Sequence, residues 1–144
     1  MIRETFSEEE TLALARDLGS KAVPGQVYRL DGDLGAGKTV FARGFAEGLG
    51  ITEPVSSPTF QILKEYHTGR IPFYHYDVYR LSDESEMDEI GYEDAFYGAG
   101  VSLVEWPERI ETLFPEKCID IKIETDPGKG FDYRRISIEG LQDQ

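Results

Sequence analysis

One stretch of the sequence combines residue types that bind phosphate groups in many proteins. Residues 32–39 read Gly-Asp-Leu-Gly-Ala-Gly-Lys-Thr and fit the pattern G-x-x-x-x-G-K-[ST] at every fixed position. Glycines allow the backbone to turn successive N–H groups inward, and the N-terminal end of a following helix favours an anion. The stretch therefore predicts a P-loop for a polyphosphate. In such a loop the Lys38 ammonium reaches the β- and γ-phosphates, and the Thr39 hydroxyl binds Mg²⁺.

A magnesium site of this kind needs a further carboxylate, usually at the C-terminal end of a neighbouring buried strand. Glu105 directly follows the nearly all-apolar residues 101–104, and Asp77 lies within the aromatic-rich residues 73–79. The more apolar strand favours Glu105 as the metal carboxylate, with Asp77 ordering water or a switch segment near the γ-phosphate. For either residue the alternative is a surface carboxylate at the end of a strand.

The choice of base is indicated by an absent residue type. Guanine-specific P-loop proteins commonly carry the motif Asn-Lys-x-Asp, whereas this chain contains no asparagine. Adenine is therefore the favoured base, and ATP with Mg²⁺ the expected ligand.

The elements around the loop predict an α/β fold. Ser7, three glutamates and an apolar stripe predict a helix that Gly19 closes, and a second helix follows the loop as far as Gly50. Pro107 is a candidate start for a helix through Leu113. Strands are predicted over residues 27–30, 59–66, 73–79, 101–104, 118–124 and 135–139. We expect residues 1–144 to form one P-loop NTPase-like domain with a mixed sheet, flanking helices and a C-terminal antiparallel hairpin.

The charge of the chain is strongly negative and unevenly distributed. The formal net charge is −13, of which residues 1–72 carry −2 and residues 73–144 carry −11. Such a chain lacks the basic surface that direct binding to a nucleic-acid backbone requires, so we expect it to act on nucleic acid only through a partner protein. Residues 83–94 hold seven carboxylates and no basic residue. This acidic run is either a solvated helix face with a loop or a docking surface for a basic partner.

Several site classes are disfavoured. The single cysteine, Cys118, cannot form an intramolecular disulfide and fits a small buried hydrophobic position. With His67 and His75 as the only histidines, a Cys/His metal site is not expected. Neither a signal peptide nor a membrane span is found in the sequence, so we expect a cytoplasmic protein.

Taken together, the motifs resemble the TsaE family, also called YjeE, the small ATPases of bacterial tRNA threonylcarbamoyladenosine synthesis. The resemblance extends from the helix at Ser7 to the last strand. It rests on residues 32–39, Ser-Pro-Thr-Phe at 57–60, Tyr-His-Tyr-Asp-Val-Tyr-Arg-Leu at 74–81, Gly91-Tyr92 with Asp94, and Val-Glu-Trp-Pro-Glu at 104–108.

The resemblance implies a P-loop ATPase that works with two partners, TsaD and TsaB, and reaches tRNA only through them. ATP hydrolysis then supports repeated modification of the adenosine next to the anticodon. Lys38, Asp77, Glu105 and the switch-like Thr59 would act in catalysis, and Thr39 and Glu105 would hold the metal. Nucleotide contacts would come from Asp33, Leu34, Gly35, Ala36, Gly37, Lys38, Thr39 and Val40, with others near Ser7, Glu8, Thr11 and Arg134 or Arg135. Trp106 matches the family tryptophan beside the metal carboxylate, or is a core aromatic.

Two alternatives stay open. A P-loop small-molecule kinase shares the loop, but such enzymes usually carry an arginine-bearing lid, and no arginine-rich insert is found. A nucleotide-sensing assembly factor would use bound ATP to control docking and hydrolysis only to reset it. For the favoured ATPase, we expect slow hydrolysis by the isolated chain, because an arginine or another cation supplied by a partner accelerates phosphoryl transfer.

Overall fold

The computed structural model describes residues 1–33, 35–56, 58 and 61–141. Its framework is a seven-stranded sheet with the order β1-β7-β6-β2-β5-β4-β3. Strands β6, β2, β5 and β4 run parallel in its centre, and β7, β1 and β3 pair antiparallel at its two sides. The strands are β1 (Ile2–Thr5), β2 (Val27–Gly32), β3 (Leu63–Tyr66), β4 (Phe73–Asp77), β5 (Val101–Glu105), β6 (Ile119–Thr125) and β7 (Arg134–Glu139). The predicted α/β fold with a mixed sheet and a C-terminal hairpin is confirmed.

Helix α1 (Glu8–Lys21) begins where the sequence predicts and ends later. The Ser7 hydroxyl oxygen accepts the Glu10 N–H at 3.1 Å, which satisfies one of the free donors of the first turn. The prediction that Gly19 closes the helix is wrong, because α1 continues to Lys21. Gly19 instead lies where the backbone of the next long helix crosses α1. A Cβ atom at Gly19 would stand 2.1 Å from the Phe45 carbonyl oxygen.

Helix α2 (Lys38–Gly48) follows the predicted phosphate-binding loop and packs closely on α1. Two of its own glycines face α1: a Cβ at Gly44 would stand 2.8 Å from the Ala15 Cβ, and one at Gly48 would stand 2.2 Å from the Arg16 carbonyl oxygen. Together the helices cover one face of the sheet and bury a core that includes Phe45. This close packing fixes the start of α2, and with it Lys38, relative to the sheet.

The opposite face of the sheet is covered only in part. Helices α3 (Glu86–Glu89) and α4 (Tyr92–Phe96) and a 3-10 helix (Pro107–Leu113) bury a second core over β4 and β5, which includes Tyr76, Phe96 and Ile110. Over β6 and β7 the same face is polar, as their alternating sequences predict. There Asp120 accepts two hydrogen bonds from Arg29.

The remaining predictions differ from the structure at the ends of elements. Strand β4 stops at Asp77 rather than residue 79, and the predicted strand over 59–66 is described as β3 only from Leu63. The segment from Pro107 is a 3-10 helix interrupted at Ile110, whose φ is −134°. Strand β1 was not predicted. Within the part of the chain that the structure describes, no helix is both long and apolar enough to cross a membrane.

Candidate nucleotide-binding site

The candidate phosphate-binding loop joins the end of β2 to the start of α2. Gly35 and Gly37 have φ angles of 81° and 100°, in the left-handed region that favours glycine. Gly32 lies so close to β6 that a Cβ atom there would stand 3.0 Å from the Ile123 carbonyl oxygen. The loop follows the carboxyl end of a central parallel strand and precedes a helix N-terminus, a position that favours an anion. Leu34, which the sequence assigns to this loop, lies outside the described residues.

Lys38 is the first residue of α2, and only 6% of its surface is exposed. Within the part of the chain that the structure describes, its Nζ atom has no hydrogen-bond partner, and it lies 3.3 Å from the centroid of the Trp106 ring. Burial lowers the pKa of Lys38. Four carboxylates oppose this effect, those of Glu105, Asp77, Glu108 and Asp31. A buried ammonium without a hydrogen bond is strongly stabilised by an anion that reaches it, so this side chain fits the predicted contact with phosphate.

The two candidate metal carboxylates lie at the same edge of the sheet as the loop. Glu105 is the last residue of β5 and pairs in register with Leu30 of β2 on one side and with Asp77 of β4 on the other. Glu105 is therefore on the strand next to the one that leads into the loop, and Asp77 is one strand further away. Glu105 is buried, whereas Asp77 is half-buried and accepts a hydrogen bond from the Tyr79 N–H at 3.1 Å. This placement supports Glu105 as the metal carboxylate.

The donors at this edge fit Mg²⁺ rather than a metal held by many side chains. Across residues 1–33, 35–56, 58 and 61–141, no group of three or more His, Cys, Asp or Glu side chains could hold a metal ion. Mg²⁺ in phosphate sites takes only one or two protein ligands and completes its shell with phosphate oxygens and water. The exposed Thr39 in the first turn of α2 and the Glu105 carboxylate are the oxygen donors that could hold such an ion.

A small cleft beside the loop gathers most of the other predicted nucleotide contacts. Its walls are formed by Glu8, Thr11, Ala36, Gly37, Val40, Asp132 and Arg134. Arg134 Nε donates to the Ala36 carbonyl oxygen at 2.7 Å, which ties the last strand to the loop. The buried Thr11 hydroxyl shares a hydrogen bond with that of Thr5 at 2.7 Å. Ser7 caps α1 one residue before Glu8.

The structure distinguishes Arg134 from Arg135. Arg134 contacts the loop, whereas Arg135 Nη1 lies 3.6 Å from the Glu124 carboxylate, outside the cleft. The alternation of β7 explains this, since Arg134 shares a face with the buried Ile136 and Ile138, toward α1 and α2. This alternation can be read from the sequence, and it favours Arg134 over Arg135 as the residue that faces the loop. The predicted nucleotide contact at Arg135 finds no support in this geometry.

Trp106 contacts both the Lys38 side chain and the second core. Its ring also lies 4.7 Å from that of Tyr79. Its φ of 62° is unusual for a residue other than glycine. The side chain of Trp106 thus covers Lys38 directly beside Glu105.

His75 is a residue of the site that the sequence did not predict, and Thr59 is a predicted residue that lies outside the described residues. His75 is fully buried, and its Nε2 atom lies 2.6 Å from Glu105 Oε2. Its position two residues before Asp77, on the same face of β4, was the available signal. Thr59, predicted as part of a switch-like segment, falls outside the described residues.

The acidic run between residues 83 and 94 folds into α3, α4 and the turns around them. Some of its carboxylates serve local structure: Glu84 accepts the Thr112 hydroxyl, and Glu86 accepts the N–H groups of Ser82 and Asp83. These backbone hydrogen bonds lower the pKa of Glu86. Five carboxylates of the run are exposed, namely Asp83, Asp88, Glu89, Glu93 and Asp94, and that of Asp83 accepts the Ser85 N–H. These five are the part of the run available to a partner.

Comparison with known proteins identifies the family. Residues 5–136 match the family described as "Threonylcarbamoyl adenosine biosynthesis protein TsaE". The chain belongs to the TsaE family. The resemblance drawn from the motifs is thereby confirmed, and the matched range includes the candidate phosphate-binding loop, both carboxylates and Arg134.

Individual relatives agree with this family assignment. A Bacillus subtilis (strain 168) protein named tRNA threonylcarbamoyladenosine biosynthesis protein TsaE is 51% identical over 137 residues, which cover 95% of this chain and 84% of that protein. A Treponema pallidum (strain Nichols) protein of the same name is 42% identical over 117 residues, covering 81% and 86%. A crystal structure of YdiB from Bacillus subtilis matches with a TM-score of 0.83 and 43% identity, over 99% of this chain and 86% of that one. The TsaE-family chain thus shares its α/β fold with a solved structure over nearly its whole length.

Proposed function

We propose that this TsaE-family chain is a cytoplasmic Mg²⁺-dependent ATPase that supports tRNA threonylcarbamoyladenosine synthesis. The proposal rests most on Lys38, whose buried ammonium has no hydrogen bond to any described residue and lies at the end of a glycine-containing loop. A carboxylate, Glu105, stands on the neighbouring strand at the same edge. The family membership supplies the pathway, since the relatives are named for biosynthesis of that modified nucleoside.

The residues of the site divide the work of phosphoryl transfer. The loop and Lys38 bind and orient the phosphates, and Thr39 and Glu105 hold Mg²⁺, which when bound neutralises phosphate charge. Asp77, one strand from Glu105, orders the attacking water. Glu8, Thr11 and Arg134 line the cleft for the rest of the nucleotide.

Partner proteins complete the site in this proposal. Two arginines near the loop are engaged within the chain: Arg134 donates to the carbonyl oxygens of Ala36, Phe131 and Tyr133, and Arg43 pairs with Glu8. A cation for the charge that develops on the γ-phosphate is then supplied by a TsaD-like or TsaB-like protein. Because such a cation contributes a factor of about 10³–10⁵ in other P-loop proteins, the isolated chain hydrolyses ATP slowly.

Phosphate release from ATP, measured with and without the TsaD-like and TsaB-like proteins of the same organism, tests the proposal. We expect the partners to raise the rate at least about tenfold, and Lys38→Ala and Glu105→Ala each to lower it by at least about 100-fold. Lys122→Ala, on the exposed outward side of β6, is the matched control and keeps the wild-type rate. Equal rates with and without the partner proteins refute the proposed activation by partners. Full activity of Glu105→Ala refutes the assignment of Glu105 as a ligand of Mg²⁺.

A further inference from the structure

A buried histidine at the metal edge has no role in the function proposed so far. His75 lies on β4 with none of its surface exposed, and Glu105, at the end of the adjacent β5, is only 3% exposed. The two side chains meet through His75 Nε2 and Glu105 Oε2, which are 2.6 Å apart. Burying a carboxylate is costly unless it accepts hydrogen bonds, so this contact is a main reason that Glu105 can stand at a buried position.

The hydrogen-bond partners of the ring indicate which nitrogen carries the proton. His75 Nδ1 is buried and has no hydrogen-bond partner among the described residues, and the ring stacks on Phe73 at 5.8 Å between centroids. A buried N–H without an acceptor is rarer than an acceptor without a donor. This arrangement favours the tautomer in which Nε2–H donates to Glu105 Oε2. The Oε1 atom of Glu105 is not held by His75.

The strand register makes this contact a fixed one. In the parallel pairing of β4 with β5, His75 lies beside Leu103 and Asp77 lies beside Glu105. The imidazole therefore extends along the strand direction, past Leu103, to reach Glu105 on the same face. Both ends of the contact stand on central strands rather than on loops. The stacking on Phe73 further restricts the ring. A donor with so little freedom holds the Glu105 side chain in one orientation.

We infer that His75 is a positioning residue that orients Glu105 toward the metal–nucleotide complex. The inference rests on the proposed function, because it takes Glu105 as the metal carboxylate. Groups that hydrogen-bond a metal ligand typically contribute about 10–100-fold in metal affinity. His75 acts in this way through Glu105 and without touching phosphate or metal.

Calorimetric titration with the nonhydrolysable ATP analogue AMP-PNP, in Mg²⁺ and separately in EDTA, tests the inference. The ratio of the two affinities measures the gain due to the metal. For His75→Phe, which keeps an aromatic ring without the donor, we expect this gain to fall by about 10–100-fold while the affinity in EDTA stays near wild type. For His75→Gln, whose amide nitrogen replaces Nε2, we expect the gain to stay within about threefold of wild type.

Two further variants keep the test informative if His75→Phe does not fold. His75→Asn carries the same amide on a shorter side chain that cannot reach Glu105, so it should lose the gain that His75→Gln keeps. In a Glu105→Gln background, changing His75 should have no further effect on the gain. Equal gains for the Gln and Asn variants, or a loss of affinity in EDTA alone, would overturn the positioning role. A wild-type chain without any gain from Mg²⁺ would instead overturn the metal site of the proposed function.

Discussion

Replacing Gly19 by alanine tests the close packing of α1 on α2 that holds Lys38 in place. Gly19 does not have a positive φ, so alanine suits its backbone, and helix propensity alone would stabilise the variant by about 1 kcal/mol. The new Cβ, however, would lie 2.1 Å from the Phe45 carbonyl oxygen, about 1.3 Å short of an ordinary 3.4 Å contact. The new Cβ is bonded directly to the backbone of α1, and the carbonyl oxygen belongs to the backbone of α2. Neither can turn away by a side-chain rotation, so one helix must move. Overpacking of this kind costs about 1–3 kcal/mol, and a backbone clash falls at the upper end.

We therefore expect Gly19→Ala to lower the free energy of unfolding by about 1–2 kcal/mol, which corresponds to a Tm lower by roughly 3–8 °C. Thermal unfolding followed by circular dichroism measures this shift. Gly128→Ala is the matched control, because its Cβ would meet only the Asp126 carboxylate at 3.3 Å in an exposed turn. The control should change stability by less than about 0.5 kcal/mol. A Tm of Gly19→Ala equal to or above that of the wild type would refute the packing argument.

Three further predictions concern the site and its surroundings. Burial lowers the pKa of Lys38 below the ordinary 10.5, so the ammonium is lost at lower pH than in an exposed lysine. The affinity for ADP should therefore fall as the pH rises toward 10.5, and calorimetry showing constant affinity up to that pH would contradict this. Trp106 is the only tryptophan and contacts Lys38, so ADP should change its fluorescence, and Lys38→Met should remove most of that change. Neutralising the exposed Asp88 and Glu89 together should weaken binding to the TsaD-like and TsaB-like proteins at low salt. Unchanged affinity in a pull-down or titration would show that the acidic run is a solvated surface without a role in docking.

The central strand, loop and helix could be predicted because their signals are local. Gly35 and Gly37 take left-handed φ angles that few residues other than glycine adopt, so their residue type alone signals the loop. The Ser7 cap is likewise a matter of a few neighbouring residues. The alternation of β6 and β7 reports directly on which side chains face the helices.

The parts that the sequence did not predict depend on residues far apart in the chain. Strand β1 has three exposed residues out of four and exists because it pairs with β7, so its own pattern carries little signal. Gly19 looks like a helix end until α2 is placed against it. The spacing of His75 from Asp77 places both residues on one face of β4, but the contact of His75 with Glu105 depends on the neighbouring strand. In each case the deciding contact is a tertiary one.

The nucleoside content of tRNA tests the central claim most directly. In Bacillus subtilis cells depleted of their own TsaE, this chain or one of its variants is expressed, and threonylcarbamoyladenosine is measured by mass spectrometry of digested tRNA. We predict that the wild-type chain and Lys122→Ala restore the modification, and that Lys38→Ala, present at the same level, does not. Full restoration by Lys38→Ala would contradict the proposal that ATP bound at this loop supports the modification.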